Sequence, residues 1–65
     1  MPYVNIKITR EGATKEQKAA LIEGVTTLLH DVLDKDPSIT YVVIDEVDLS
    51  DWGVSGKSVE ALRQS

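Results

Sequence analysis

The sequence predicts an α/β fold: a single βαβ unit of two parallel strands and one long crossover helix, followed by a short C-terminal hairpin or arm. Three patterns indicate this. Residues 2–9 alternate between apolar and polar side chains, residues 14–34 carry apolar side chains at helical spacing, and residues 39–47 form a second strand-like run. Two strands joined by a long helix make a right-handed unit with parallel strands.

The first strand holds Val4, Ile6 and Ile8 on one face, with polar side chains between them. This alternation is typical of a strand with one apolar face. A polar turn around Gly12 follows the strand, and its composition separates the strand from the helix.

The helix is expected to begin after Thr14 and to run to about Asp34. Thr14 and Gln17 have the spacing of a capping box. Gly24 lies in the middle of the helix, where glycine lowers helix stability by roughly 1 kcal/mol relative to alanine. Close approach of a partner helix would explain the glycine, and a tolerated defect is equally possible. The apolar positions recur at helical spacing: Leu21, Val25, Leu28 and Val32. The opposite face is expected to be polar and includes Lys18.

The second strand is predicted from Ile39 to Val47. Pro37 ends the helix because it disfavours helical geometry at Asp36. The segment Tyr41–Ile44 is apolar on both faces, as in a central strand that is buried on both sides. One helix can cover only one face, so we expect other subunits to cover the other face and to complete the sheet by oligomerisation.

The remainder of the chain is short. Residues 52–56, with one tryptophan among small residues, predict a tight hairpin or an arm on a neighbouring subunit, and residues 58–63 predict a final helical turn. An acidic run precedes them: Asp45, Glu46, Asp48 and Asp51. Because the run lacks the D-x-D-x-D-G pattern of a calcium loop, a solvated run that protects a strand edge is the better interpretation.

Composition limits the possible functions. The 65 residues predict one domain, 1–65, and the absence of cysteine excludes disulfides and thiolate metal sites. A net charge of −4 argues against nucleic acid and against an anionic membrane surface as partners. No apolar run reaches the length of a membrane span and no signal peptide is present, which predicts a cytoplasmic protein. The chain is short and has no disulfide to stabilise it, yet 42% of its residues are hydrophobic. We therefore expect subunits to complete the core by associating as a homo-oligomer.

Pro2 directly follows Met1 at the head of the first strand. If Met1 is removed, the Pro2 nitrogen becomes a secondary amine, a base that no side chain supplies. A free α-amino group titrates near 7.7–8.0, and an apolar pocket would lower that pKa towards neutrality, where proton transfer works well. From the dipeptide alone, the better interpretation is a proline that merely starts a strand, where its missing N–H does no harm.

A series of short stretches, in order and at near-constant spacing, matches one known family. They are Pro2 after Met1, Tyr3–Ile8, Glu11-Gly12, Glu16–Lys18, Leu33-Asp34, Val42–Glu46 and Trp52–Gly56. Through them nearly the whole chain resembles the 4-oxalocrotonate tautomerase family. The resemblance implies βαβ subunits that assemble as dimers and usually hexamers, with no metal or organic cofactor. It also implies a freed amino-terminal proline that moves protons between carbon and oxygen in enol and keto acids.

By position, the resemblance makes Pro2 the catalytic base and Trp52 an aromatic wall of a substrate pocket. The family's two substrate-binding arginines fall at Ala13 and Tyr41, so the match fails there. Arg10, in a first loop lengthened by a residue, is the candidate replacement for binding a carboxylate. Tyr41 can donate a neutral hydrogen bond to substrate, which is weaker than a charged one. Plainer interpretations remain open: Arg10 as a solvated cation, and Tyr41 as a contact between subunits.

The resemblance therefore implies a cofactor-free isomerase, a tautomerase that interconverts the enol and keto forms of a small, anionic, unsaturated carboxylic acid. The expected partner is a homo-oligomer, with a hexamer favoured and a dimer possible. The missing arginines keep a second interpretation open, a non-catalytic oligomeric scaffold or binding member of the same fold. Hydratase or dehalogenase chemistry with the same proline is a further alternative.

Overall fold

The computed structural model describes residues 1–64 and contains the predicted βαβ unit. The two strands of this unit are parallel, and a small antiparallel hairpin follows them. In chain order the elements are β1 (Tyr3–Thr9), α1 (Lys15–Leu33), β2 (Tyr41–Val47), β3 (Gly53–Val54), β4 (Lys57–Ser58) and α2 (Val59–Arg63).

Helix α1 begins and ends as its sequence predicts. The Thr14 side chain accepts a hydrogen bond from the Gln17 amide, and the Gln17 side chain accepts one from the Thr14 amide, so the capping box is complete. At the other end Asp34 takes a left-handed conformation with φ 55°, which turns the chain out of the helix. Among the described residues, no helix is long and apolar enough to cross a membrane.

Strand β2 starts at Tyr41, two positions later than the predicted start at Ile39. Residues Pro37–Ile39 form a 3₁₀ turn instead. The Asp36 carboxylate accepts a hydrogen bond from the Ser38 amide at 2.9 Å, and the Thr40 hydroxyl donates to the Asp36 carbonyl at 2.9 Å. These local bonds hold the segment in a turn despite the strand preference of isoleucine.

The register of the parallel pair places one apolar face of the sheet against α1. Tyr3 pairs with Tyr41, and the pairing continues to Thr9 beside Val47. Lys18 of α1 reaches Glu46 of β2, which identifies the helix-facing side of the sheet. Alternation along both strands puts a set of half-buried aliphatic side chains on that side: Val4, Ile6, Ile8, Val42 and Ile44. Lys18, expected on the polar face of the helix, therefore bridges helix and sheet.

The predicted hairpin is confirmed. Ser55 and Gly56 form its turn, with φ of 55° and 80°, as a two-residue turn with positive φ at both positions requires. Helix α2 starts directly after the hairpin, where the Ser58 hydroxyl accepts a hydrogen bond from the Ala61 amide at 3.1 Å. Arg63 of α2 bonds Glu11, which ties the C-terminal helix to the loop after β1.

Within a single chain, none of the described residues 1–64 is buried, and the radius of gyration of the Cα atoms is 15.2 Å. A compact domain of this length has a radius of about 11 Å. The accessible surface is 4881 Å², whereas a compact monomer of this mass exposes about 4,100 Å². Leu28 and Val32 of α1 are 59% and 69% exposed, so the helix carries a second apolar stripe that faces away from the sheet.

Candidate active site

Pro2 lies immediately before β1, at the end of the sheet where both strands begin. Its carbonyl accepts a hydrogen bond from the Tyr41 amide at 3.0 Å, which fixes the residue against the start of β2. Pro2 is half-buried, whereas Met1 is 79% exposed. The main chain of Pro2 is therefore bonded to the start of β2, while Met1 before it is exposed to solvent.

Tyr41 is brought close to Pro2 by the parallel register. Tyr41 and Tyr3 are direct cross-strand partners, and they are 53% and 65% exposed. Tyr3 was missed as a neighbour of this site by sequence reasoning. The available signal was the parallel topology itself, since the two strands of a βαβ unit begin at the same edge of the sheet.

Arg10 lies at the opposite end of the sheet from Pro2. Its amide donates to the Val47 carbonyl at 2.8 Å. Its Nε donates to Asp48 Oδ1 at 2.8 Å, and its Nη2 donates to the Glu46 carbonyl at 3.2 Å. Strand residues advance by roughly 3.3 Å each, so Pro2 and Arg10 of one chain lie roughly 26 Å apart. A single chain does not bring the two residues to one small ligand.

The surroundings of Arg10 are acidic. The Asp48 hydrogen bond, together with the charges of Asp48 and Glu46, raises the pKa of Arg10 above the ordinary value for a guanidinium. The side chains of Arg10 and Asp48 are 57% and 61% exposed. Arg10 is therefore an exposed cation with a carboxylate partner, rather than a loop cation without one.

Trp52 lies at the same end of the sheet as Arg10. It follows a 3₁₀ turn, Leu49–Asp51, that leads out of β2. Trp52 is half-buried, and its carbonyl accepts a hydrogen bond from the Val59 amide at 2.8 Å, which fixes it at the start of α2. Within one chain, the predicted site residues thus form two groups, Pro2 with Tyr41 and Arg10 with Trp52.

The acidic run is largely paired with basic side chains. The Lys7–Asp45 distance is 3.0 Å, and Asn5 also donates to Asp45. The bond from Asn5, followed by that from Lys7, lowers the pKa of Asp45, and the bond from Lys18 lowers the pKa of Glu46. Across residues 1–64, no group of three or more histidine and carboxylate side chains is arranged to hold a metal ion.

The loop after β1 is held by Glu11. Its carboxylate accepts hydrogen bonds from Arg63 and from the Thr9 hydroxyl, and the Arg63 bond is the largest cause of the lowered pKa of Glu11. A shallow groove of about 460 Å³ begins at Ala13 and runs along the first half of α1, lined also by Gln17, Ala20 and Leu21. The groove does not include Pro2, so it is a surface feature of the helix.

Comparison with known proteins identifies relatives over almost the whole chain. A family model described as "Tautomerase enzyme" matches residues 2–62. Probable tautomerase K2 of Dickeya dadantii is 56% identical over 64 residues, which are 98% of this chain and 96% of the relative. A probable tautomerase of Helicobacter pylori strain 26695 is 50% identical over 66 residues, covering 98% of this chain and 97% of the relative.

Solved structures share the fold. DmpI from Helicobacter pylori superposes with a TM-score of 0.89 at 48% identity and covers 98% of both chains. TomN, a 4-oxalocrotonate tautomerase homologue of the tomaymycin biosynthetic pathway, gives 0.88 at 30% identity over 98% of this chain and 97% of its own. A heterohexamer 4-oxalocrotonate tautomerase from Chloroflexus aurantiacus gives 0.84 at 30% identity over 97% and 100%.

Proposed function

Since the chain belongs to the tautomerase family, we propose that it interconverts the enol and keto forms of a small unsaturated carboxylic acid, with Pro2 as general base after Met1 is removed. The main observation in support of this proposal is the position of Pro2. Its carbonyl is bonded to the Tyr41 amide at 3.0 Å, so the adjoining nitrogen is held at the edge of a sheet. Removal of the exposed Met1 would turn that nitrogen from an amide into a secondary amine.

The proposed reaction is a proton shuttle. The neutral amine takes the proton from the enol hydroxyl, and the electrons of that O–H bond form the carbonyl. The electrons of the C=C bond then take the proton from the protonated amine at carbon. One group acts first as base and then as acid, which suits an amine whose pKa lies near the working pH. In this scheme Arg10 binds the substrate carboxylate, the Tyr41 hydroxyl donates to the developing carbonyl oxygen, and Trp52 excludes water.

The proposed site draws on more than one chain. Pro2 and Arg10 of the same chain are roughly 26 Å apart along β1. Gly24 is exposed and lies one turn before Leu28 on the same side of α1, and a Cβ at Gly24 would meet nothing within 4 Å, so a second helix has room to approach. We infer a homo-oligomer whose subunits cover these apolar surfaces and bring Arg10 of one chain towards Pro2 of another. A hexamer is favoured, in line with the heterohexameric structural relative, and a dimer is the alternative.

The test compares three forms of the protein whose masses are verified: processed wild type, a chain that retains Met1, and processed Pro2→Ala. Each is assayed for ketonisation of phenylenolpyruvate. Retained Met1 leaves the Pro2 nitrogen as an amide, so activity should be lost while the circular dichroism spectrum stays unchanged. Processed Pro2→Ala keeps a primary amine and should retain a small activity with a shifted pH profile. Equal activity of all three forms would show that Pro2 is not the general base.

A second candidate function is a non-catalytic oligomeric scaffold or binding member. It is favoured by Ala13 and Tyr41 at the positions of the family arginines and by the pairing of Arg10 with Asp48. Inactivity of all three forms towards several carboxylate enols would support it. Assays of the same forms with unsaturated and halogenated acids test the hydratase and dehalogenase alternatives, because those reactions depend on the same amine.

A further inference from the structure

We propose that Asp48 is a positioning residue that, with the main-chain carbonyl of Glu46, holds the Arg10 guanidinium in one orientation for a substrate carboxylate. The proposal rests on the proposed function, in which Arg10 is the carboxylate-binding group. Asp48 itself would not touch the substrate. Its effect would pass through Arg10 and would appear in the binding of anionic substrates.

The hydrogen bonds of Arg10 leave part of the guanidinium available. Arginine carries five N–H donors in a rigid plane. Asp48 Oδ1 takes the Nε donor at 2.8 Å, and the Glu46 carbonyl takes an Nη2 donor at 3.2 Å. Neither contact uses Nη1. A guanidinium held through Nε and Nη2 can still present Nη1 and the second Nη2 proton to a carboxylate, in the bidentate geometry that arginine favours.

The main chain around Arg10 is also fixed. The Arg10 amide is bonded to the Val47 carbonyl at 2.8 Å, so the residue continues the hydrogen bonding of the sheet. The next residue, Glu11, is held by Arg63 of α2 and by Thr9. Both the backbone and the guanidinium of Arg10 therefore have defined partners, which reduces the conformational freedom that a ligand would otherwise have to remove.

Asp48 has two opposing effects on an incoming anion. Its negative charge repels a carboxylate, but both side chains of the pair are more than half exposed, and water screens interactions between exposed charges strongly. Its hydrogen bond restricts Arg10, one of the side chains with the largest rotamer entropy. Restriction before binding favours the complex. We therefore expect orientation to outweigh repulsion.

The test is a double-mutant cycle with processed protein and phenylenolpyruvate. Asp48→Ala should raise KM about two- to fivefold with little change in kcat, because exposed ion pairs have effects of that size and lost ground-state binding appears in KM. Asp48→Asn keeps an oxygen acceptor for Nε and should restore much of the difference. In an Arg10→Ala background, Asp48→Ala should have no further effect. The matched control is Asp45→Ala, which breaks an exposed ion pair with Lys7 and should leave KM unchanged.

The opposite results would overturn the proposal. A lower KM in Asp48→Asn or Asp48→Ala would mean that Asp48 competes with the substrate for Arg10. If Asp48→Ala leaves KM unchanged, or raises KM equally in the Arg10→Ala background, Asp48 does not act through Arg10. If the processed wild type has no activity, the same cycle is measured as binding of 3-phenylpropanoate, followed by the fluorescence of Trp52, the only tryptophan of the chain. A Kd that rises with Asp48→Ala, but not when Arg10 is already alanine, supports the positioning role even though the proposed function has failed. A Kd that is unaffected by Asp48→Ala overturns the positioning role.

Discussion

Mixed oligomers should recover activity that neither parent protein has, because the proposed site takes Pro2 and Arg10 from different chains. One parent chain retains Met1, so its Pro2 nitrogen is an amide. The other parent is processed and carries Arg10→Ala. Every site of the first parent lacks the base, and every site of the second lacks the guanidinium. Co-expression or joint refolding then produces oligomers that contain both chains.

The expected size of the recovery follows from the geometry of the chain. Pro2 and Arg10 lie at opposite ends of β1, roughly 26 Å apart at 3.3 Å per residue. A site that takes one group from each of two chains in a random, equal mixture is intact in about one quarter of cases, because each group is intact in half of the chains. Loss of a charged hydrogen-bonding partner lowers kcat/KM by about tenfold or more. The Arg10→Ala parent should therefore have little activity at low substrate concentration.

The assay is initial-rate ketonisation of phenylenolpyruvate, at a concentration below KM, before and after the chains are mixed. We expect the mixed oligomers to exceed the average of the two parents several-fold. The control mixture, the Met1-retaining chain with wild type, should keep about half of the wild-type activity, since half of its sites have a free Pro2. Activity equal to the average of the parents would refute the shared site.

Three further predictions concern stability and assembly. Trp52→Ala should lower the free energy of unfolding of the assembled protein by roughly 3–5 kcal/mol and weaken association, as measured by denaturation and sedimentation; an unchanged oligomer would place Trp52 outside the interfaces. The lowered pKa of Glu46 means that the pair with Lys18 stabilises the fold above the unfolded pKa of about 4.3 and is lost as pH falls through the folded pKa. Unfolding of Glu46→Gln should therefore depend less on pH below about pH 5. Ser55→Asn should raise the free energy of unfolding by up to about 1 kcal/mol, because asparagine followed by Gly56 suits the positive φ of both turn residues.

Local sequence signals predicted most of the fold. The Thr14 and Gln17 pair marked the start of α1, and the alternation of residues 2–9 marked β1; both predictions are confirmed. The start of β2 was predicted too early. Ile39 favours a strand, but the Asp36 carboxylate binds the Ser38 amide and holds the intervening residues in a turn. Such side-chain competition with the backbone depends on rotamers that composition does not reveal.

The arrangement of the candidate site was less predictable. The closeness of Tyr41 to Pro2 follows from parallel topology, and the sequence contained that signal. The sequence did not predict which carboxylate pairs with Arg10, because the acidic run offers several and the loop conformation selects Asp48 among them. The role of Lys18 was missed for a similar reason, since its long stem lets the ammonium reach Glu46 from the side of the helix.

The most direct test of the central claim is a titration of the Pro2 nitrogen. Processed protein labelled with ¹⁵N at proline is followed by NMR across pH, alongside kcat/KM for phenylenolpyruvate. A base must be neutral, so activity should rise with pH as the amine loses its proton, and both curves should give the same pKa. An apolar site would place that pKa below the 7.7–8.0 of a free α-amino group. Activity that persists unchanged where the Pro2 amine is fully protonated would contradict the account.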